Sequence, residues 1–224
     1  RAPKRIEVAN PLPGSTPRVW HGRDYVVFTY TGRDGAGLRV FVYSWNGRWV
    51  GEEITAPGMS SVTLQPESLW VAAQEEFIAV ALRNRVAGED QVYLYRKEPT
   101  GFGKWQLDPA GVRRLRLADP ASPSTFAAGE SFVVAYNPAY SGQAFAGFSW
   151  DWQEGVWSRP PVLPANPAPS GAALAAHANY LVVLMYDRDR REGRFRTYHR
   201  DATGAWHQSR EWTNGGLDIL SSEG

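Results

Sequence analysis

The chain has 224 residues with 24 basic and 23 acidic side chains, and it contains no cysteine. The nearly balanced charge does not indicate a nucleic-acid-binding protein, and without thiols neither disulfides nor thiolate metal sites can form. No apolar run approaches the ~18–20 residues of a membrane-spanning helix. We predict a secreted or extracellular protein, and a cytoplasmic location stays open because a reducing compartment also suits a cysteine-free chain.

Four copies of one pattern follow each other along the sequence. Each copy opens with an aromatic residue, and these are spaced by 52, 55 and 48 positions: Tyr25, Phe77, Phe132 and Tyr180. Each copy closes with a tryptophan, and these are spaced by 56, 52 and 49 positions: Trp49, Trp105, Trp157 and Trp206. A period near fifty with several short strands in each unit is typical of the blades of a β-propeller.

The predicted fold is therefore all-β, a β-propeller of four four-stranded repeats that forms a four-bladed ring or part of a larger propeller. We expect a single domain over residues 1–224, with blades at 17–56, 68–110, 124–163 and 171–212. Residues 1–13 contain a lone strand-like piece. This piece either closes the ring by completing the last blade or belongs to an earlier blade.

The recurring aromatic residues are predicted to pack between neighbouring blades. Both faces of a blade must be covered, and each large aromatic side chain buries on the order of 150–250 Å². Stacking on sugar rings is the competing interpretation, and it fits best the tryptophans outside the repeat pattern: Trp152, Trp212 and Trp70. These three residues are therefore the predicted ligand-binding aromatics, with additional packing as the simpler alternative.

No catalytic constellation has a specific spacing, and no catalytic residue, metal site or cofactor is predicted. His21 and His177 are placed in the turn between the first two strands of their blades, where turn chemistry accounts for both. His199 and His207 lie on opposite sides of the last hairpin and are expected to face each other. No pair has the H-x-x-x-H spacing of a helical metal site.

A charged loop precedes the last hairpin. Its alternating acids resemble a calcium loop, but the glycine is misplaced and the interleaved arginines oppose a cation, which favours a solvated loop. Arg188, Arg190 and Arg191 are the predicted contacts to an acidic partner or polyanionic glycan. The simpler alternative is an exposed strand face carrying Arg194 and Arg196 beside acidic neighbours. The arginines at 113, 114 and 116 are interpreted as the solvated face of a connecting segment.

The repeat resembles the propeller repeats in the B component of bacterial insecticidal toxin complexes and in related RHS-type proteins. The resemblance lies in Tyr25-Val26-Val27, residues 43–49, Phe132-Val133-Val134 and residues 148–151. The chain resembles lectin-type and FG-GAP-type propellers at the same level. The toxin resemblance implies a non-enzymatic docking and gating element within a larger secreted bacterial protein. It concerns packing positions and carries over no functional residue.

Three functions are consistent with these observations. The leading hypothesis is a non-enzymatic binding or scaffold module that presents loops to a macromolecular partner, with self-association as a way to complete the propeller. The first alternative is a carbohydrate-binding, lectin-like propeller. The second is a propeller glycoside hydrolase, which would gather one acid from each blade. The residue before the opening aromatic is acidic in the first two copies, Asp24 and Glu76.

Overall fold

The fold is seen in a computed structural model, which describes residues 18–31, 37–45, 47–59, 69–98, 104–141, 143–151, 156–158, 171–187 and 192–215. Seventeen β-strands and no α-helix lie in these residues. The strands form four antiparallel sheets, one for each repeat of the sequence. The predicted all-β fold of four β-propeller-like blades is thereby confirmed. The piece at residues 1–13 lies outside the described residues.

The four sheets are called blades 1 to 4, and within each blade the strands pair in chain order. Blade 1 contains β1 (Arg18–His21), β2 (Tyr25–Thr31), β3 (Leu38–Trp45) and β4 (Trp49–Glu53). Blade 2 contains β5 (Leu69–Ala73), β6 (Phe77–Asn84), β7 (Glu89–Lys97) and β8 (Trp105–Leu107). A fifth strand, β9 (Arg113–Arg116), pairs with the first four residues of β7. Blade 3 contains β10 (Thr125–Ala128), β11 (Phe132–Tyr136), β12 (Phe145–Asp151) and β13 (Val156–Ser158). Blade 4 contains β14 (Gly171–His177), β15 (Tyr180–Asp187), β16 (Glu192–Arg200) and β17 (Trp206–Gly215).

The second strand of a blade is the most apolar because both of its faces are covered. All five residues of β11 are buried, and so are the first six of β6. Strands that are buried on both faces read as continuous apolar runs. The third strand of blade 1 alternates instead, and Val40 and Val42 are fully buried on one face. Such alternation is typical of a strand with one face in the core.

Two of the turns between first and second strands need glycine because an aromatic ring folds back over them. The Gly22 amide donates to the Tyr25 carbonyl and the Gly129 amide to the Phe132 carbonyl, both at 3.0 Å. A Cβ atom at Gly22 would overlap the Tyr25 ring, and one at Gly129 would overlap the Phe132 ring. The opening aromatic therefore restricts which residue can form the turn before it.

The chain divides into two compact units. The first contains Arg1–Asn84 and Tyr93–Gly111, and the second contains Arg85–Val92 and Val112–Gly224. In the second unit β9 pairs with the first four residues of β7. The arginines at 113, 114 and 116 therefore belong to a strand and not to a connecting segment, and Arg114 and Arg116 are exposed, as predicted for a solvated face. Leu115 is the buried residue of β9, and Arg114 forms an ion pair with the buried carboxylate of Glu89.

Blades 3 and 4 share one apolar core within the second unit. Phe132 and Val134 of β11 are buried there together with Leu181 and Val183 of β15 and Tyr198 of β16. The first strands of the two blades are also joined, because the Thr125 hydroxyl donates to the Ala172 carbonyl at 2.9 Å. Burial of such apolar side chains is the main source of stability in a repeat array, at about 25 cal/mol per Å².

Candidate binding surfaces

The contact between blades 1 and 2 is built around one aromatic pair. The rings of Tyr25 and Trp105 lie 4.6 Å apart, and both side chains are buried. The Trp105 indole N–H donates to the Ser44 hydroxyl at 3.1 Å, and the Tyr25 hydroxyl donates to the Gln74 carbonyl. Burial, with a smaller contribution from the Asp24 charge, raises the pKa of the Tyr25 hydroxyl far above its ordinary value. Tyr25 is therefore a neutral hydrogen-bond donor.

The contact between blades 3 and 4 repeats this arrangement with different residues. The rings of Phe132 and Trp206 lie 4.7 Å apart, edge to face. Phe132 is fully buried, and Trp206 packs partly buried against the same core. The opening aromatic of one blade thus meets the closing tryptophan of the next in both units. We call this contact the inter-blade joint.

A polar contact accompanies each of these two joints. In the first unit the Lys97 ammonium lies 2.6 Å from the Asp24 carboxylate. In the second unit the Arg200 guanidinium donates to the Ser131 hydroxyl at 2.8 Å. Asp24 and Ser131 directly precede the opening aromatics, and Lys97 and Arg200 are the last residues of their third strands. The position that the hydrolase hypothesis assigned to catalytic acids therefore contributes, at Asp24 and Ser131, to a contact between blades.

The pairing register shows that all four blades are equivalent at these positions. The closing tryptophan pairs with the end of the third strand in every blade: Trp45↔Trp49, Lys97↔Trp105, Trp150↔Trp157 and Arg200↔Trp206. The backbone N–H at the end of the third strand donates to the carbonyl before the opening aromatic: Trp45 to Asp24, Lys97 to Glu76, Trp150 to Ser131 and Arg200 to Asn179. Differences in exposure at these positions therefore arise from the residues that cover them and not from the pairing register of the strands.

Two members of the aromatic pattern are exposed, contrary to the prediction that all eight pack between blades. Trp49 is 38% exposed, whereas Trp105 and Trp157 are each 6% exposed. Tyr180 is 55% exposed, whereas Tyr25, Phe77 and Phe132 are at most 3% exposed. Five of the eight are buried, and packing between blades is confirmed for Tyr25 with Trp105 and for Phe132 with the half-buried Trp206. The prediction is wrong for Trp49 and Tyr180. The first tryptophan and the last opening aromatic of the series lack the cover that their equivalents have.

Each exposed residue has a neighbour on the same face of its sheet. Trp45 is 44% exposed, and its ring lies 5.5 Å from that of Trp49. We call this pair the tryptophan surface. The Tyr180 ring lies 4.9 Å from that of His199, its register partner, and we call this pair the tyrosine surface. Exposed aromatic pairs of this kind are the strongest candidates for binding in the described part of the chain, because aromatic residues are enriched in protein interfaces.

The structure describes two of the six ligand-binding residues that the sequence predicts. Trp70 lies half-buried in β5, opposite Ala81. Trp212 belongs to β17, where its backbone pairs with Phe195, a residue that is 37% exposed. Trp152, Arg188, Arg190 and Arg191 lie outside the described residues. The binding roles of all six residues stay predictions.

The basic strand of blade 4 differs from the exposed face expected for it. Arg196 is only 8% exposed, and its backbone lies opposite Val183 on one side and Glu211 on the other. Arg194 is half-buried. The expectation of an exposed Arg196 is therefore wrong. The long aliphatic part of an arginine side chain allows this burial, which the charge of the head group conceals in a sequence.

The buried acid Asp90 holds a polar network in the second unit. Its carboxylate accepts hydrogen bonds from the Tyr140 hydroxyl at 2.6 Å and from the Ser124 hydroxyl. Asn137 extends the network, with its amide donating to Ser124 at 2.8 Å and to the Ser122 carbonyl at 2.9 Å. Buried polar groups with partners of this kind specify one backbone arrangement. The network therefore accounts for the path of the chain between β9 and β12.

The histidines give no metal constellation in the described residues. His199 and His207 are register partners, which confirms that they face each other. His207 Nε2 lies 2.6 Å from an Asp201 oxygen, and hydrogen bonds from Thr203 and then from His207 lower the pKa of the Asp201 carboxyl far below its ordinary value. His21 and His177 are predicted in equivalent turns, but they are the last residues of β1 and β14. Their positions differ by one register step, because His177 pairs with Tyr180 whereas His21 pairs with Val26.

In comparisons with known proteins, no family model matches the chain and no curated protein matches it. The class of protein is thus defined by the fold, a β-propeller-like array of four antiparallel sheets. No helix in the described residues is long and apolar enough to cross a membrane.

Proposed function

We propose that this chain is a non-enzymatic binding module that engages a protein partner through exposed aromatic surfaces on blades 1 and 4. The observation that carries the proposal is the tryptophan surface. Two indoles that are 44% and 38% exposed lie side by side on one sheet face. Their equivalents in blade 2 contact blade 1, because Trp105 packs against Tyr25 and Lys97 pairs with Asp24.

Energetic considerations support a macromolecular partner for this surface. Tryptophan is among the residues that most often dominate the binding energy of protein interfaces, because a large rigid ring is desolvated at little cost in side-chain entropy. The third and fourth strands hold both indoles in place by backbone pairing at Trp45↔Trp49. A partner would therefore bind a surface that needs little ordering, which favours affinity.

The test compares capture by three immobilised forms of the chain: the wild type, Trp45→Ser/Trp49→Ser and Val86→Ser. Val86 is fully exposed on a turn, so its replacement is a matched control that also removes exposed apolar area. We expect protein captured from the native source to be retained by the wild type and Val86→Ser and lost with the double variant. Equal capture by all three forms would contradict the proposal.

A lectin-like function is the second candidate, favoured by the angle of 62° between the Trp45 and Trp49 rings. Such an arrangement leaves an aromatic face on which the apolar side of a sugar ring can stack. A glycan array separates the two candidates. Saturable glycan binding that is lost with Trp45→Ser/Trp49→Ser, together with no protein capture, would replace the protein-binding proposal with this one.

A further inference from the structure

The inter-blade joint has two halves that lie on different blades. One half supplies the closing tryptophan and the last residue of the third strand, as Trp105 and Lys97 do in blade 2. The other half supplies the opening aromatic and the residue before it, as Tyr25 and Asp24 do in blade 1. The halves meet through a ring contact of 4.6 Å and an ion pair of 2.6 Å.

The tryptophan surface corresponds to the first half by register. Trp49 takes the place of Trp105 and Trp206, and Trp45 takes the place of Lys97 and Arg200. Both residues on this surface are exposed. Blade 1 therefore presents the half of a joint that requires an opening aromatic from elsewhere.

The tyrosine surface corresponds to the second half. Tyr180 takes the place of Tyr25 and Phe132, and its register partner His199 takes the place of Ser44 and Ser149. Asn179 precedes Tyr180 as Asp24 precedes Tyr25. Blade 4 therefore presents the half of a joint that requires a closing tryptophan.

The two surfaces complement each other in chemistry as well as in position. The Trp49 indole N–H can donate to a ring nitrogen of His199, as the Trp105 indole donates to Ser44. The Trp45 indole N–H can donate to the Asn179 side-chain carbonyl, where Lys97 and Arg200 bond to Asp24 and Ser131. The rings of Trp49 and Tyr180 would supply the apolar contact.

We infer that the partner of the tryptophan surface is the tyrosine surface of a second copy of this chain. This inference rests on the proposed function and names its partner. Both halves of the joint lie on the same chain, so each copy presents what another copy requires. Such a head-to-tail contact is heterologous, and it either closes into a ring or continues as a chain of copies. The aromatic side chains are only about half exposed before contact, so each buries less than the ~150–250 Å² of a whole aromatic side chain. The contact is therefore the size of a weak, reversible interface.

The absence of cysteine from the sequence allows a direct test by cross-linking. Two single variants of the full chain, Trp45→Cys and Asn179→Cys, are mixed and treated with a short bis-maleimide. Trp49 and Tyr180 stay unchanged in both. The Asp24→Cys/Lys97→Cys variant calibrates the reagent, because its two positions form the same contact within one chain. Each single variant alone, and Trp45→Cys mixed with Val86→Cys, are the matched controls.

We expect a product of twice the chain mass in the Trp45→Cys and Asn179→Cys mixture, at least tenfold above all three controls. A cross-link within Asp24→Cys/Lys97→Cys but no such product in the mixture would overturn the inference. The inference would also fail if Trp45→Cys/Asn179→Cys on one chain linked only within single chains. In either case the proposed function would survive if Trp45→Ser/Trp49→Ser still abolished capture of a different protein.

Discussion

The two inter-blade joints have the same geometry but different polar chemistry. In the first unit Tyr25 and Trp105 are accompanied by a charged pair, Lys97 and Asp24, and by the Tyr25 hydroxyl bond to a backbone carbonyl. In the second unit Phe132 has no hydroxyl, and a neutral serine takes the place of the aspartate. The ring contact is therefore the constant element of the repeat, and the polar groups around it are free to vary.

Replacing the closing tryptophan of a blade should have the largest effect on the free energy of unfolding. Trp105→Ala should lower the free energy of unfolding by about 3–5 kcal/mol, because a buried indole and its hydrogen bond to Ser44 are lost. Trp206→Ala should cost about 1–2 kcal/mol, because this indole is only partly buried. Trp49→Ala should change stability by no more than about 0.5 kcal/mol, because the ring is exposed. Urea denaturation measures all three, and equal losses at the three positions would show that the joint is not the source of the difference.

A smaller effect is expected from the hydroxyl of the opening aromatic residue, which only the first joint has. Tyr25→Phe makes the first joint resemble the second, and it should cost about 1 kcal/mol, because the Gln74 carbonyl loses its donor. The measurement is again the free energy of unfolding from urea denaturation. A stability unchanged by Tyr25→Phe would mean that the hydroxyl contributes nothing to the joint.

The polar pairs should differ in their response to salt. A double-mutant cycle with Asp24→Asn and Lys97→Met should give a coupling of about 0.5 kcal/mol that falls at high salt, because both side chains are partly exposed. A cycle with Ser131→Ala and Arg200→Met should give a coupling that salt hardly changes, because serine carries no charge. A salt-insensitive Asp24–Lys97 coupling would contradict the ion-pair assignment.

The contributions of Asp201 and Glu52 to the free energy of unfolding should change with pH in opposite directions. The pKa of Asp201 is lowered by its hydrogen bonds, so its contribution to stability is full above the ordinary aspartate pKa of about 3.9 and is lost as the pH falls further. Asp201→Asn should therefore be less stable than the wild type at pH 7, and the difference should shrink below about pH 4.

Glu52 in blade 1 should behave in the opposite way. Burial raises the pKa of Glu52, even though its carboxylate accepts a hydrogen bond from the Trp105 amide at 2.8 Å. Ionisation of Glu52 thus opposes folding, and the wild type loses this part of its stability as the pH rises from about 4.3 through the raised pKa. Glu52→Gln should be slightly more stable than the wild type at pH 7 and equal to it at pH 3. Thermal unfolding at the two pH values measures the difference, and a destabilised Glu52→Gln at pH 7 would reverse the sign assigned here.

The repeat made the four sheets predictable because each copy carries its own strand pattern, turn and pair of aromatic positions. The β9 strand was not predictable, because arginines at 113, 114 and 116 leave Leu115 as its single apolar residue. The burial of Arg196 was concealed in the same way by its charge.

The exposed surfaces could not be predicted from the pattern. The sequence makes Trp49 equivalent to Trp105 and Tyr180 equivalent to Tyr25, and the register confirms that equivalence. Exposure depends on whether another blade covers the residue, which is a tertiary property. A useful signal is position within the series, because the exposed residues are the first tryptophan and the last opening aromatic of the four copies.

Sedimentation equilibrium of the wild type and of Trp49→Ala over a range of concentrations tests the role of the joint most directly. For the wild type we expect a mass of 24.9 kDa at low concentration that rises as the concentration increases. For Trp49→Ala we expect the mass of the single chain throughout, with unchanged stability, because only the exposed half of a joint is removed. A wild type that stays at 24.9 kDa at every concentration, or a variant that associates as the wild type does, would contradict the account.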